Sequence, residues 1–265
     1  MGQKITVVDA FTEEPFAGNP AAVCLLDEAR TEVWMQRLAR EMNHSETAFL
    51  VRDGEAWSLR WFTPECEVDL CGHATLAGAH VLWESGIAGP EETLHFKTRS
   101  GALSARRHVG WIELDLPATP AAPIEAPDLL GTALGAPLRW VGETVFDLLA
   151  EVENEATVRG LRPNVHALGG FPSRGVIVTG KADTGKPYDF VSRYFAPTFG
   201  IPEDPVTGSA HCALGPFWEE RLGKKDLVGY QASPRGGTVR VRVNGDRARI
   251  GGRAVTVLRG ELAIP

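Results

Sequence analysis

The segment DLCGHATLAGAHVLWESG, Asp69 to Gly86, sets Cys71, His73 and His80 in a run of otherwise small and apolar residues. A thiol and two imidazoles can ligate a metal, pair as nucleophile and base, or line an active site at a helix start. Zinc would draw on Cys66, Cys71, His73 and His80, whose spacing matches no common zinc pattern, with His80 about two turns along the helix from His73. The expectation is no metal. A nucleophile would be Cys71 or Ser209, but Gly208-Ser209-Ala210 lacks the G-x-S-x-G elbow of a serine hydrolase.

The helix-start reading gains from a second stretch. In the first half, RWFTP (Arg60 to Pro64) leads to CGHA (Cys71 to Ala74) and a helix ending near Gly86. In the second, RYFAP (Arg193 to Pro197) leads to TGSA (Thr207 to Ala210) and a helix ending near Gly223. Gly72 and Gly208 lie 136 positions apart and Arg60 and Arg193 lie 133 apart, so the copies differ by a three-residue insertion in the connecting loop. Each copy reads strand, proline turn, loop, glycine, buried helix.

Backbone N–H groups at a helix start lack intrahelical partners, and the helix dipole is positive there. Gly72-His73-Ala74 and Gly208-Ser209-Ala210 are therefore candidate anion sites, with glycine permitting close approach. If both starts point into one cleft, one holds a carboxylate and the other a developing enolate; glycines that merely open helices are the other reading. Acid–base candidates are Glu46 in NHSETAFL and Asp204 in PEDPVTGSA. Glu46 stands after a helix and before an apolar strand, where burial would raise a carboxyl pKa into a useful range. A glutamate before a strand is more often solvated, and spacing alone leaves both readings open.

The elements that must position these groups are mostly short alternating strands: KITVVDAF, TAFLVR, WSLRWF, ALSARR, WIELDL, RGVIVTG, FVSRYF, TVRVRV and AVTVLRG. Helical patterns are few: Thr31 to Met42, the Asp69–Gly86 segment, Val158 to Leu161 with its flanks, and Ser209 to Leu222. From Ala74 to Leu82 the helix is small or apolar on all faces, which marks a buried helix. Many short strands and one buried helix per half suggest a curled sheet around a central helix, made twice. LPATPAAPIEAP, Leu116 to Pro127, cannot continue a strand ladder and reads as a linker between the halves.

Composition narrows the function classes. The chain has 265 residues, 43% hydrophobic and 23% charged, with a formal net charge of −7. That balance suits a soluble protein with a sizeable core and argues against a nucleic-acid partner. Arg240 and Arg242 alternate with valines, as on the solvent face of a strand. No apolar run approaches the roughly 20 residues of a bilayer span, and MGQKITVVDAF reads as a strand rather than a secretory signal. Gly2 with Thr6 fits a loose myristoylation pattern, but a residue opening a first strand is poorly placed as an anchor. Cys24, Cys66, Cys71 and Cys212 form no C-x-x-C pair, and a cytoplasmic setting is expected. GKADTGKP mimics a phosphate loop, yet Pro187 stands where Ser or Thr would bind magnesium, so a solvated turn is expected. Asn43-His44-Ser45 matches a glycosylation acceptor without any sign of secretion.

Together FAGNPAAVCLL, NHSETAFL, FTPECEVDLCGHATLAGAHVL and FAPTFGIPEDPVTGSAHCALGPFW resemble the phenazine biosynthesis PhzF-like family, within the diaminopimelate epimerase-like superfamily. The resemblance covers nearly the whole chain. It implies an α+β fold of two pseudo-symmetric domains, each a barrel-like antiparallel or mixed sheet around a central helix, with the active site in the cleft between them. The domains would be residues 1–117 plus 254–265 and residues 118–253, with AVTVLRGELAI completing the first.

The resemblance also implies a cofactor-free isomerase or epimerase moving a proton on a small, carboxylate-bearing metabolite, and a homodimer. By motif position Glu46 corresponds to the acid–base glutamate; Asp204, His73 and Ser209 match residues lining the site; Asn19 in GNP falls on a substrate-facing loop. Gly72, Cys71, Thr207, Gly208 and Ala210 complete the substrate-binding set. Diaminopimelate epimerase and proline racemase use one cysteine at each helix start, where this chain has Cys71 and Thr207. A threonine hydroxyl is a poor base, so a one-base isomerase is favoured, with Cys71 a leftover or a secondary donor whose thiolate the helix start would help. The alternative is a protein of the same fold that binds small acids, or acts as a scaffold, without turnover.

Overall fold

A computed structural model describes residues 2–263. They divide into two compact units, residues 2–115 with 251–263, and Leu116–Ile250. In the first unit the elements are β1 (Lys4–Ala10), β2 (Asn19–Leu26), α1 (Glu32–Met42), β3 (Glu46–Asp53), β4 (Ala56–Phe62), β5 (Glu67–Val68), α2 (Gly72–Glu84), β6 (Leu94–Thr98), β7 (Gly101–His108) and β8 (Trp111–Pro117). The second holds β9 (Ala122–Pro123), α3 (Leu130–Leu134), β10 (Trp140–Glu143), β11 (Leu148–Glu151), α4 (Glu155–Gly160), α5 (Val165–Leu168), β12 (Val176–Lys181), β13 (Phe190–Ala196), β14 (Ile201–Asp204), α6 (Gly208–Leu222), β15 (Asp226–Gln231) and β16 (Gly237–Asn244).

Strand pairing repeats from one unit to the other. β1 pairs antiparallel with β2, β2 parallel with β3, β3 antiparallel with β4, β4 antiparallel with β5 and parallel with β6, and β6 antiparallel with β7. β10 to β16 follow the same sequence of pairings, step for step. Each parallel step needs a crossover, and α2 and α6 occupy equivalent ones, between β5 and β6 and between β14 and β15. The strand Ala254–Glu261 pairs antiparallel with β1, completing the first unit.

Both crossover helices are core elements. Every residue of α2 from Gly72 to Trp83 is buried except His80, and the helix packs on β1, β2 and β3. Its small residues are needed: a Cβ at Gly78 would come within 3.2 Å of Leu50 Cδ1. α6 packs on β15 and β16, and a Cβ at Gly215 would stand 2.6 Å from Val241 Cγ1. α1, amphipathic, covers β2, β3 and β4 through Met35, Leu38 and Ala39 against Cys24, Phe49 and Phe62. The second unit's core gathers Leu130, Leu134, Val158 and Leu168 with Val176, Val178 and Phe195.

A duplicated ion pair fixes the hairpin before each crossover helix. Arg60 donates to Glu67 through Nε and Nη2, both at 2.6 Å, and Arg193 donates to Glu203 at 2.7 and 2.8 Å. Each guanidinium also lies 5.1 Å over the phenylalanine two residues on, Phe62 or Phe195. Bidentate pairs of this kind hold geometry as well as charge. The extra residues of the second copy are accommodated by a 3₁₀ turn, Pro197–Phe199.

Two expectations need correction. The proline-rich run does join a ladder: Ala122 and Pro123 pair with Glu143 and Gly142 of β10. Ile124 beside it donates to the Val141 carbonyl, so Pro123 opposite Gly142 takes a non-hydrogen-bonded position, where a missing N–H costs the ladder nothing. α3 and α5 lack a readable period because each is about one turn long, with Gly135 (φ 73°) ending α3. GKADTGKP begins with the last two residues of β12, Gly180 buried, and continues as a mostly exposed turn; Arg240 and Arg242 are exposed on β16 beside buried Val239 and Val241. Among the described residues no helix is long and apolar enough to cross a membrane.

Candidate active site

In the first unit, five of the expected residues, Asn19, Glu46, Cys71, Gly72 and His73, come together at the start of α2. Cys71 is its N-cap, Gly72 opens it and His73 is its second residue. Glu46 is the first residue of β3 and Asn19 the first of β2, strands in parallel register with Ala21 opposite Glu46. Glu46 follows α1 closely because Asn43 ends that helix in the left-handed conformation (φ 51°), bonding back to the Ala39 carbonyl. Gly18 before Asn19 has φ +63°, and a Cβ there would stand 2.2 Å from the Ala10 carbonyl oxygen, so this approach to β2 is open to glycine alone.

The side chains meet around the His73 ring. Oε2 of Glu46 is 3.2 Å from His73 Nε2, close in distance though without the alignment of a hydrogen bond. Nδ1 lies 3.1 Å from Nδ2 of Asn19 and 3.5 Å from Sγ of Cys71. Glu46 is only 9% exposed, and Asn19, Cys71 and His73 are buried. Burial, with a smaller push from His44, lowers His73 to about 3 and keeps the ring neutral.

Glu46, Cys71 and His73 are also a possible metal-ligand group, their donor atoms all within 4.8 Å of one another. The thiol lies by Nδ1 and the carboxylate by Nε2, nitrogens whose lone pairs diverge across the ring. An ion on either nitrogen would need the donor that lies beside the other nitrogen to move in before all three could bind it. The other thiol and imidazole of the zinc reading are engaged elsewhere. Cys66 is exposed in the turn after β4, and His80 contacts Thr256 and Glu84.

In the second unit Thr207 is the N-cap of α6, Gly208, Ser209 and Ala210 form its first turn, and Asp204 ends β14. Thr207 Oγ1 donates to Asp204 Oδ2 at 2.5 Å. Gln231, fully buried at the end of β15, donates to the Asp204 carbonyl (2.7 Å) and to Thr207 Oγ1 (3.1 Å) and accepts from the Thr207 N–H (2.9 Å). The Thr207 proton is thus committed to orienting Asp204. His211 donates through Nδ1 to the Thr207 carbonyl (2.8 Å), and burial lowers it to about 4.

Ser209 has a partner that the sequence did not suggest. Arg174 Nη2 donates to Ser209 Oγ at 3.2 Å, while Nε and Nη2 grip buried Asp147, whose Oδ1 also accepts from Tyr194 OH at 2.9 Å. Burial alone would lower Arg174, but the bonds to Asp147 raise it, so it is a fixed cation. With an arginine proton on its oxygen, Ser209 is held as a donor rather than facing a base, which argues against the hydrolase reading. Arg174, Asp147 and Gln231 belong to no local motif, and Tyr194 stands in RYFAP without any sign of this role; they lie 24 to 47 residues from their partners, and only the sheet brings them in. Neither N-cap side chain bonds the first turn of its helix, so both starts keep N–H groups for an outside acceptor.

The family model for phenazine biosynthesis-like proteins, PhzC-PhzF, matches residues 8–260. An uncharacterised isomerase of Halalkalibacterium halodurans is 50% identical over 265 residues, covering all of both chains. The crystal structure of a PhzF-family protein from Enterococcus faecalis superposes with a TM-score of 0.93 at 43% identity, covering all of both chains. A hydroxyproline epimerase of Agrobacterium vitis, solved with trans-4-hydroxy-L-proline, shares the fold alone: TM-score 0.66 at 14% identity, covering 98% of this chain and 90% of that one.

Proposed function

The chain belongs to the phenazine biosynthesis-like PhzC-PhzF family, and from that premise we propose that it is a cofactor-independent isomerase or epimerase in which Glu46 takes and returns the proton of a small carboxylate-bearing metabolite. The carrying observation is a nearly buried carboxylate 3.2 Å from an imidazole that stays neutral at the start of a buried helix. A carboxylate so placed can accept a carbon-bound proton as the C–H pair moves into an enolate. The carboxyl, still 9% exposed, trades that proton with solvent and returns one to carbon, at the same atom or at a conjugated one. Helix-start N–H groups offer charge stabilisation that needs no reorganisation during the step.

The two helix starts differ in a way that supports one base. Cys71 carries a thiol, whereas its counterpart in the repeat, Thr207, has its hydroxyl proton bound to Asp204. A symmetric pair of thiols is therefore missing. Asp204 and Ser209, each fixed by partners, act in this reading as substrate-facing polar groups, with Gly72, Gly208 and Ala210 supplying backbone N–H donors. The homodimer is part of the same proposal and is checked by light scattering.

The test is a screen of small carboxylic acids by thermal shift, followed by incubation of each hit in deuterium oxide. A catalyst labels at least one hit at a carbon position. Stabilising hits that never exchange would favour the non-catalytic binder instead.

A further inference from the structure

We infer that Asn19 is a positioning residue that acts on Glu46 through His73, by fixing which nitrogen of the imidazole carries the proton. The effect on Glu46 rests on the function proposed above; the tautomer itself does not. Asn19 is fully buried, its backbone is paired with Ala10 of β1, and its carboxamide nitrogen lies 3.1 Å from His73 Nδ1. An amide nitrogen is a donor with no acceptor capacity, so Nδ1 must accept. A neutral ring has one N–H, and with Nδ1 accepting, that N–H is on Nε2, the atom 3.2 Å from the Glu46 carboxylate.

The opposite tautomer would set a nitrogen lone pair against a carboxylate oxygen in a nearly dry site, which is repulsive. The chosen one gives Glu46 a neighbouring N–H that does not come and go with pH, because the ring gains a second proton only near 3. His73 therefore does not take from Glu46 a proton removed from substrate; that proton trades with solvent at the carboxyl, which keeps 9% of its surface exposed, or goes back to carbon. Cys71 fits the same arrangement: 3.5 Å from Nδ1, its thiol can donate there, whereas a thiolate would require Nδ1–H. One amide thus separates a single-carboxylate device from a cysteine–histidine pair.

The test reads the ring directly and needs no substrate. Long-range ¹H–¹⁵N spectra of the labelled protein at pH 7, with His73→Gln used to assign the signals, should show a protonated Nε2 and a bare Nδ1. Asn19→Asp, similar in shape but an acceptor, should move the proton to Nδ1; a structural role alone would not. A wild-type ring protonated at Nδ1 overturns the inference, as does Asn19→Asp that leaves the proton on Nε2. If Asn19→Asp fails to fold, the wild-type spectrum still decides. The two readings fail separately: full turnover in Glu46→Gln with an Nε2–H ring defeats the function but not the tautomer, and an Nδ1–H ring with turnover lost in Glu46→Gln does the reverse.

Discussion

Nε2 of His73 and Oε2 of Glu46 stand 3.2 Å apart, joining the second residue of a buried helix to the first residue of a strand. Both positions follow from local sequence: α2 opens at buried Gly72, one residue before His73, and Asn43 ends α1 three residues before Glu46. The contact places a possible proton carrier beside a ring that burial keeps neutral.

That burial predicts how stability depends on pH. His73 is held at about 3 and His211 at about 4 in the folded chain, whereas unfolded histidines titrate near about 6.5. Between those limits the unfolded state binds more protons, so stability falls as pH falls, by up to about 1.4 kcal/mol per pH unit for each ring. Melting temperature should decline steadily from about pH 6.5 to about pH 4, and both rings should stay neutral in NMR titrations down to about pH 5. A midpoint near 6.5 for either ring would contradict its burial.

The Thr207 hydroxyl predicts a difference between near-isosteres. Thr207→Val removes the donor to Asp204 and one of the acceptors of buried Gln231, for a loss of about 1–3 kcal/mol in urea unfolding. Thr207→Ser keeps the oxygen and should recover most of it. Equal losses in the two variants would show that the methyl group, not the hydrogen bonds, carries the effect.

Ion pairs should separate by burial. Asp147→Ala leaves Arg174 without its bidentate partner and should cost about 3 kcal/mol. Asp53→Ala breaks a pair with Lys97 in which both side chains are more than half exposed, and should cost under about 1 kcal/mol. Denaturant midpoints of the two variants check this; similar losses would mean that the Asp147 cluster adds no more than surface charge.

The repeat, both helix starts and the Glu46 and His73 positions were legible because each depends on local spacing: glycine before a helix, proline after a strand, a strand opening three residues past a cap. The bidentate pairs Arg60–Glu67 and Arg193–Glu203 were half visible, since the arginines marked the repeat while Glu67 and Glu203, each five residues before a helix glycine, passed as ordinary acids. Arg174, Asp147 and Gln231 were illegible. Each is an isolated polar residue whose partner arrives from another strand, and nothing in its neighbours distinguishes it from a solvated side chain. The Pro123 ladder was misread because the rule against proline in strands concerns its missing N–H, and Pro123 stands at a position of the ladder where no N–H is called for.

The central claim is that Glu46 alone carries the proton, and the most direct measurement is solvent-deuterium incorporation into a substrate found by ligand screening, compared across wild type, Glu46→Gln and Cys71→Ala. Glu46→Gln keeps shape but cannot cycle a proton, and should lose about 10² to 10⁴-fold in turnover. Cys71→Ala should lose under about tenfold, since its thiol lies beside Nδ1 while Glu46 meets the ring at Nε2. Wild type should place label on one carbon and Glu46→Gln on none. Abolished exchange in Cys71→Ala, with label still entering substrate in Glu46→Gln, would contradict the account and put a cysteine base in place of the glutamate.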